Sequence, residues 1–239
     1  MNVFLQVALN GDRNHPAVPK TPDEIAKDAK ACIDADAHSV HVHAFDDHGK
    51  ETLDGISCGR VLKAIRRLCP GVPISLTTSA TIEPVPGKRL NLVKAWMEFP
   101  DLVTVNQGEE GIIELGELLI SRGVGLEAGL LTIDDARKFV TSPIRNKCRR
   151  VLIEPLDPDS DKALANAAKM EEIVFDAGIT LEQVHHGYDF PCWAINRRAL
   201  ERGHGIRTGL EDVAVLPDGI PAEGNVQLVL AAMAMIDGK

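Results

Sequence analysis

Short runs of β-branched and other apolar residues recur roughly every 30 residues along the chain. Each is followed by a stretch in which apolar residues return with helical period. The runs predict eight strands, at residues 2–9, 38–43, 72–78, 102–106, 124–130, 149–154, 181–186 and 205–210. Helices fill the intervals, and a last one is expected over about 222–236. The clearest helix start is Thr21-Pro22-Asp23-Glu24. There Thr21 caps, Pro22 suits the first helical position and Glu24 closes a capping box, while Ile25, Ala29 and Cys32 continue one apolar face. Eight strand–helix units predict a (β/α)8 TIM barrel, a single domain over residues 1–239, with active-site groups at the C-terminal ends of its strands. The alternative is a doubly wound open sheet. Against it, no GxGxxG follows the first strand and the chain has no P-loop.

Strand side chains alternate between two faces, so each strand splits into two registers. Val40 and Val42 oppose Ser39, His41 and His43; Leu5, Val7 and Leu9 oppose Gln6, Ala8 and Asn10. Ile74, Leu76 and Thr78 oppose Ser75, Thr77 and Ser79; Val103 and Val105 oppose Thr104 and Asn106. Glu127 lies between Gly125 and Gly129 and opposite Leu126, Ala128 and Leu130, and Glu154 is expected inward as well. Arg207, Gly209 and Glu211 share a register if the eighth strand stays extended as far as Glu211. Helices must cover the apolar register, so the polar one is expected to face the barrel axis.

The composition narrows the partners. With 26 Lys and Arg against 35 Asp and Glu, the net charge is −9, which argues against a general nucleic-acid binder but leaves room for a phosphorylated small molecule. No apolar run approaches the ~18 residues of a membrane helix, and no signal peptide is visible. The five cysteines (Cys32, Cys58, Cys69, Cys148 and Cys192) are scattered without a CxxC pair. They read as reduced core thiols of a cytoplasmic protein.

Candidate chemistry gathers at the strand ends. His41 and His43, two apart on one strand face, can bind one cation through neutral imidazoles, although an HxH pair also arises structurally. Glu211 would add a carboxylate and leave open positions on a zinc-like ion, as a catalytic site needs. Asp212, beside Arg207, can stay ionised and accept a proton, or the two can form a surface ion pair. Glu127 is a second acid or base, or a charge buried against an arginine. Thr77, Thr78, Thr104 and Asn106 are candidate substrate donors, and Asn10, Asp12 and Arg13 of the first loop are candidate substrate contacts. Of His185 and His186, only one can face inward; His186 is preferred because Gly187 leaves space, the alternative being a histidine satisfied by the backbone.

These residues resemble a known family pattern. In order along the chain stand Asn10-Gly11, His15-Pro16, Thr21-Pro22-Asp23-Glu24-Ile25-Ala26, His41-Val42-His43 and Thr77-Thr78-Ser79. Val105-Asn106, Glu127-Ala128-Gly129-Leu130, His186-Gly187 and Arg207-Thr208-Gly209-Leu210-Glu211-Asp212-Val213 follow, then Pro217-Asp218-Gly219 and Asn225. The chain thereby resembles the β-keto acid cleavage enzymes, whose founding activity is cleavage of 3-keto-5-aminohexanoate. The resemblance implies a homo-oligomer, a dimer or tetramer, with a divalent metal, most often zinc, held by His41, His43 and Glu211. It implies that Asp212 and Arg207 handle the proton and that Glu127 lies in the substrate pocket. It also implies acetyl-CoA as co-substrate, a β-keto acid being converted to acetoacetate and a new acyl-CoA. Other readings are a metal-dependent barrel aldolase or keto-acid hydrolase without CoA, and a ligand-binding relative without turnover. The chain departs from the family's HxHxRD in having Phe45 at the arginine position, which removes a charged anchor. It also has Tyr188 where HGE carries its acid.

Overall fold

The computed structural model describes residues 3–238, and the expected start of the first strand at Asn2 lies outside them. Eight strands appear: β1 (Leu5–Ala8), β2 (Ser39–Val42), β3 (Ile74–Thr77), β4 (Leu102–Asn106), β5 (Gly125–Leu130), β6 (Arg150–Ile153), β7 (Glu182–His185) and β8 (Gly205–Thr208). They alternate with α1 (Pro22–Asp34), α2 (Gly55–Leu68), α3 (Pro86–Lys94), α4 (Ile112–Ser121), α5 (Ile133–Thr141), α6 (Ser160–Asp176), α7 (Pro191–Glu201) and α8 (Asn225–Ile236). Every neighbouring strand pair is parallel, and β8 returns to pair with β1, which closes the sheet. The protein is a (β/α)8 barrel, and closure rules out the open doubly wound sheet.

Paired residues of neighbouring strands share a face, so the ladder registers show what fills the barrel. The pairs Gln6↔Arg207, His41↔Ser75, Thr77↔Thr104, Thr104↔Glu127 and Glu127↔Arg150 put the polar register inside, as expected. The opposite register, with Leu5, Val7, Val40, Val42, Ile74, Leu76, Val103 and Val105, is fully buried beneath the helices. Burying each such side chain stabilises by about 1.5–3 kcal/mol. The helix ends follow local chemistry. Thr21 and Glu24 form the expected capping box, Thr132 and Asp135 form a second, and Asp54 and Asp159 cap α2 and α6. All five cysteines are buried and free. Among the described residues no helix is long and apolar enough to cross a membrane.

Two expectations need correction. Most strands are shorter than their apolar runs, because the flanking residues turn into the loops. β8 in particular ends at Thr208 rather than Leu210, since Gly209 takes φ 145°, so Glu211 owes its position to a turn and not to strand parity.

On the helical shell, Glu171 of α6 accepts hydrogen bonds from Arg198 (2.5 Å) and Arg202 (2.8 and 3.0 Å) and lies 3.0 Å from His204 Nε2. Burial alone would raise its pKa, but Arg202, His204 and Arg198 outweigh it and bring the carboxyl down to about 2. A depressed carboxyl stabilises the fold fully above its unfolded pKa near 4.5, and that contribution is lost as pH falls through about 2. Glu171→Gln is expected to lower unfolding free energy by about 1–2 kcal/mol at pH 7, after allowing for solvent screening around Arg202. Urea titrations at pH 7 and pH 3 should show a smaller difference between variant and wild type at the lower pH.

Candidate active site and metal centre

Gly209 builds the mouth of the barrel. A Cβ at this position would run into the carbonyl oxygen of Ala8, so only glycine lets the chain turn this close to β1. The amides of Asp212 and Val213 then donate to the Gly209 carbonyl (2.9 and 2.8 Å), and the turn carries Glu211 and Asp212 back over the strand ends. Gly11 (φ 98°) makes room on the other side, where a Cβ would stand 3.1 Å from Glu211 Cγ. Arg13 clamps the turn from outside. Its Nη2 donates to the carbonyls of Glu211 (3.3 Å) and Asp212 (3.2 Å), and its Nη1 pairs with Asp189 at 2.7 Å.

Arg207 sits under the turn with its guanidinium buried. Its Nε and Nη2 donate to Asp212 Oδ2 and Oδ1 (3.0 and 2.6 Å), and Nη2 also donates to Glu211 Oε1 at 3.0 Å. The pair is therefore internal, with Asp212 as well as Arg207 buried, and is not the alternative surface ion pair. Burial would raise the Asp212 pKa, but Arg207 and His186 hold it below the ordinary carboxylate value.

His41, His43 and Glu211 converge, their ligand atoms all within 4.8 Å of one another. Glu211 Oε2 is 3.6 Å from His41 Nε2, and Oε1 is 3.4 Å from His43 Nε2. The first is too long for a hydrogen bond and the second is at the outer limit of the range, and both His43 Nε2 and Glu211 Oε2 are buried with no hydrogen-bond partner. The two Nδ1 atoms, in contrast, are held: His41 by Ser75 Oγ at 2.9 Å and His43 by Glu51 Oε1 at 2.5 Å. Ring nitrogens pinned from behind with unspent donors facing one point fit a cation site with two imidazoles and a carboxylate. The electrostatics differ between the rings. Burial drives His41 down to about 3, whereas at His43 the Glu211 and Glu51 carboxylates overcome burial and hold it up at about 10.

A cavity of about 190 Å³ opens over this cluster. Thr77, Thr104 and Asn106 line it beside His41, His43, Arg207 and Glu211, as do Asp12, Glu51, Glu154, Leu131, Leu156 and Tyr188. Tyr188 stacks on Arg13, whose guanidinium lies 5.0 Å from the ring centroid. Six of the expected residues lie off the wall: Arg13 and Asp212, which hold the turn, and four more. Asn10 spends its side chain on the backbone, its Nδ2 donating to the carbonyls of Pro19 and His43 and its Oδ1 accepting from the His43 amide. Thr78, in the outward register, donates to the Thr104 carbonyl at 2.9 Å. Glu127 is wholly buried one layer below, against Gln6, Ser75, Thr104 and Arg150. His186 is buried beside Asp212 and Glu154, each 3.5 Å away, while His185 sits in the other register against Gln183 and His204. Gly187 does not leave space for His186; it lets the backbone approach the start of α7 at Cys192.

Two further carboxylates, Glu51 and Glu154, belong to the site although local sequence pattern gives them no role. Glu51 reaches His43 because residues 44–52 fold into a hairpin, closed by bonds from the Asp46 amide to Lys50 and from the Thr52 amide to Ala44. The turn-forming Asp47-His48-Gly49 was the available signal. Glu154, inward by register, lines the cavity, its pKa raised by burial.

The family model for beta-keto acid cleavage enzymes matches residues 2–179 and 184–238. The chain belongs to this family. A 3-keto-5-aminohexanoate cleavage enzyme of Fusobacterium nucleatum is 27% identical over 90% of this chain and 83% of its own length. One from Acetoanaerobium sticklandii is 26% identical over the same shares. A 3-oxoadipate:acetyl-CoA acetyltransferase of Cupriavidus necator is 32% identical over 31% of this chain and 28% of its own. Among solved structures, ObcA in its apo form superposes with a TM-score of 0.75 at 15% identity. ObcA in a ternary complex with a C4-CoA adduct and oxalate gives 0.76 at 14%. The match covers 94% of this chain in both cases but 62% and 64% of ObcA, so this β-keto acid cleavage enzyme chain spans less than two thirds of ObcA, which it resembles in fold.

Gly209→Ala should unseat the turn that carries Glu211 and Asp212. We expect a loss of at least about 3 kcal/mol in stability, read from the denaturation midpoint.

Proposed function

We propose that the protein is a zinc-dependent acyltransferase that joins a β-keto acid to acetyl-CoA and cleaves the adduct to acetoacetate and a new acyl-CoA. The observation carrying this reading is the convergence of His41, His43 and Glu211 on one point, beside a buried Arg207–Asp212 pair, at the floor of a small cavity. The similarity to a 3-oxoadipate:acetyl-CoA acetyltransferase supports the use of acetyl-CoA. The reading includes a cytoplasmic homo-oligomer.

His41, His43 and Glu211 would hold the cation. When bound, a zinc ion supplies Lewis-acid polarisation of the keto acid's carbonyl. Asp212, kept ionised by Arg207, is the proton acceptor, and Arg207 remains charged as its carboxylate partner gains and returns the proton. His186 lies between Asp212 and the cavity-lining Glu154, within 3.5 Å of both, and offers a way for that proton to reach the cavity. Thr77 and Asn106 present a hydroxyl and an amide group to the acid, whereas the Thr104 hydroxyl is spent on Glu127. A cavity of about 190 Å³ suits a small keto acid but not a nucleotide, so the bulk of CoA would extend out of the open mouth.

The lining also bears on the acid's far end. Asp12, Glu51, Glu154 and Glu211 line the cavity with Arg207, which already serves two carboxylates. An anionic tail would meet like charge, so a neutral or cationic tail is favoured over a second carboxylate.

Elemental analysis of purified protein should find about one zinc or similar divalent ion per chain, absent from His41→Ala and Glu211→Ala together with activity. Asp212→Asn should keep the metal and lose about 10²–10⁴-fold in turnover, and near-normal turnover would remove Asp212 from the proton step. Among β-keto acids, those with amino or uncharged tails should give higher kcat/KM than dicarboxylates. Cleavage without consumption of acetyl-CoA would replace the acyltransferase reading with an aldolase or hydrolase.

A further inference from the structure

Glu127 is a carboxylate without an outlet. It is fully buried and lies off the cavity wall, and every group facing it is a donor. Gln6 Nε2 donates to Oε1 at 3.0 Å, and Arg150 Nε is 3.7 Å from the same oxygen. Ser75 Oγ and Thr104 Oγ1 donate to Oε2, the latter at 3.3 Å. Both hydroxyls also face one further atom, His41 Nδ1, from 2.9 Å for Ser75 and 3.5 Å for Thr104.

We propose that Glu127 is a positioning residue, acting through Ser75 to fix the ring tautomer of His41 and so leave the Nε2 lone pair free for the metal. The argument is one of hydrogen-bond direction. A carboxylate accepts, so the single hydroxyl proton of Ser75 goes to Glu127 Oε2. Ser75 Oγ can then meet His41 only as an acceptor, which requires the ring proton to be on Nδ1. Thr104 repeats the arrangement at longer range. The opposite tautomer would set the Nδ1 lone pair against two oxygens that have already given up their protons. With Nδ1 protonated, Nε2 carries its lone pair toward the point shared with His43 and Glu211. Glu51 does the same for His43 directly, whereas for His41 the carboxylate is one hydroxyl further back. The metal half of this inference rests on the zinc reading above; the tautomer half does not.

The test uses full-length protein with 15N-labelled histidine, metal-free and zinc-loaded, together with zinc affinity measured by competition against a chromophoric chelator. The His41 signals are assigned by their loss in His41→Asn. Wild-type His41 should carry its proton on Nδ1 in the metal-free state. Ser75→Ala should mix the tautomers and weaken zinc binding about 10–100-fold, while the keto-acid KM at saturating zinc stays unchanged. Glu127→Ala cuts the chain one link further back and should move both readouts the same way, which keeps the test available if Ser75→Ala does not fold. Glu127→Gln should stay close to wild type, because its carbonyl can take the Ser75 proton while its amide can donate to Gln6 once the Gln6 amide turns over to present its oxygen, which has no partner in the wild type. A wild-type His41 protonated on Nε2, or unchanged tautomer and affinity in both alanine variants, would overturn the proposal. If wild type binds no zinc yet the tautomer responds, the relay stands and the zinc reading falls.

Discussion

The buried guanidinium of Arg207 is the constraint on which the site depends. A charge that deep in the barrel is tolerated only with partners, and the fork of Arg207 takes both oxygens of Asp212 and one of Glu211. Those partners are four and five residues further along, beyond a turn that only Gly209 permits. The ion pairs and the turn thus hold one another: without the arginine two carboxylates would be packed side by side at the mouth, and without the glycine neither would reach it. Glu211 has one oxygen tied to Arg207 and the other buried without a hydrogen bond near His41, a division that suits a ligand carboxylate.

Around this anchor, carboxylates are used in three ways. Asp212 is kept ionised by the arginine it neutralises. Glu51 and Glu127 lie behind the two imidazoles, one in direct contact and one through a hydroxyl. Glu154 lines the cavity wall, and burial makes it harder to ionise. The two histidines, alike in sequence and on the same face, consequently differ in charge preference. His43 is flanked by two carboxylates, whereas His41 has one at 3.6 Å and hydroxyls on its other side.

Much of the architecture was legible because the signals were local. Alternation along a strand is a property of the extended backbone, so the inward placement of His41, Ser75, Thr104, Glu127 and Arg207 followed from period alone. The capping box at Thr21 was equally local. Membership of the β-keto acid cleavage enzymes followed from residues that keep their order across nearly the whole chain, and the family model matches over the same range. Depth along the barrel axis was not legible. Glu127 and Thr104 share a face and are paired in register, but only Thr104 reaches the cavity, because height in a tilted barrel depends on the stagger of all eight strands. Asn10 and Thr78 read as substrate-contacting groups because their hydrogen-bond partners, the His43 backbone and the Thr104 carbonyl, lie far away in sequence.

The eight-fold alternation, the face of each strand and the residue types at the strand ends are local properties of the chain, since backbone geometry and nearest neighbours settle them. Which polar groups meet depends on the closed barrel. It brought Glu51 back to His43 through a hairpin, turned Glu211 over the mouth at Gly209, and sank Glu127 beneath Ser75. The physical reason is the range of each interaction. Side-chain direction repeats every two residues, whereas a hydrogen bond between Ser75 and Glu127 exists only once the strands between them have paired and the barrel has closed.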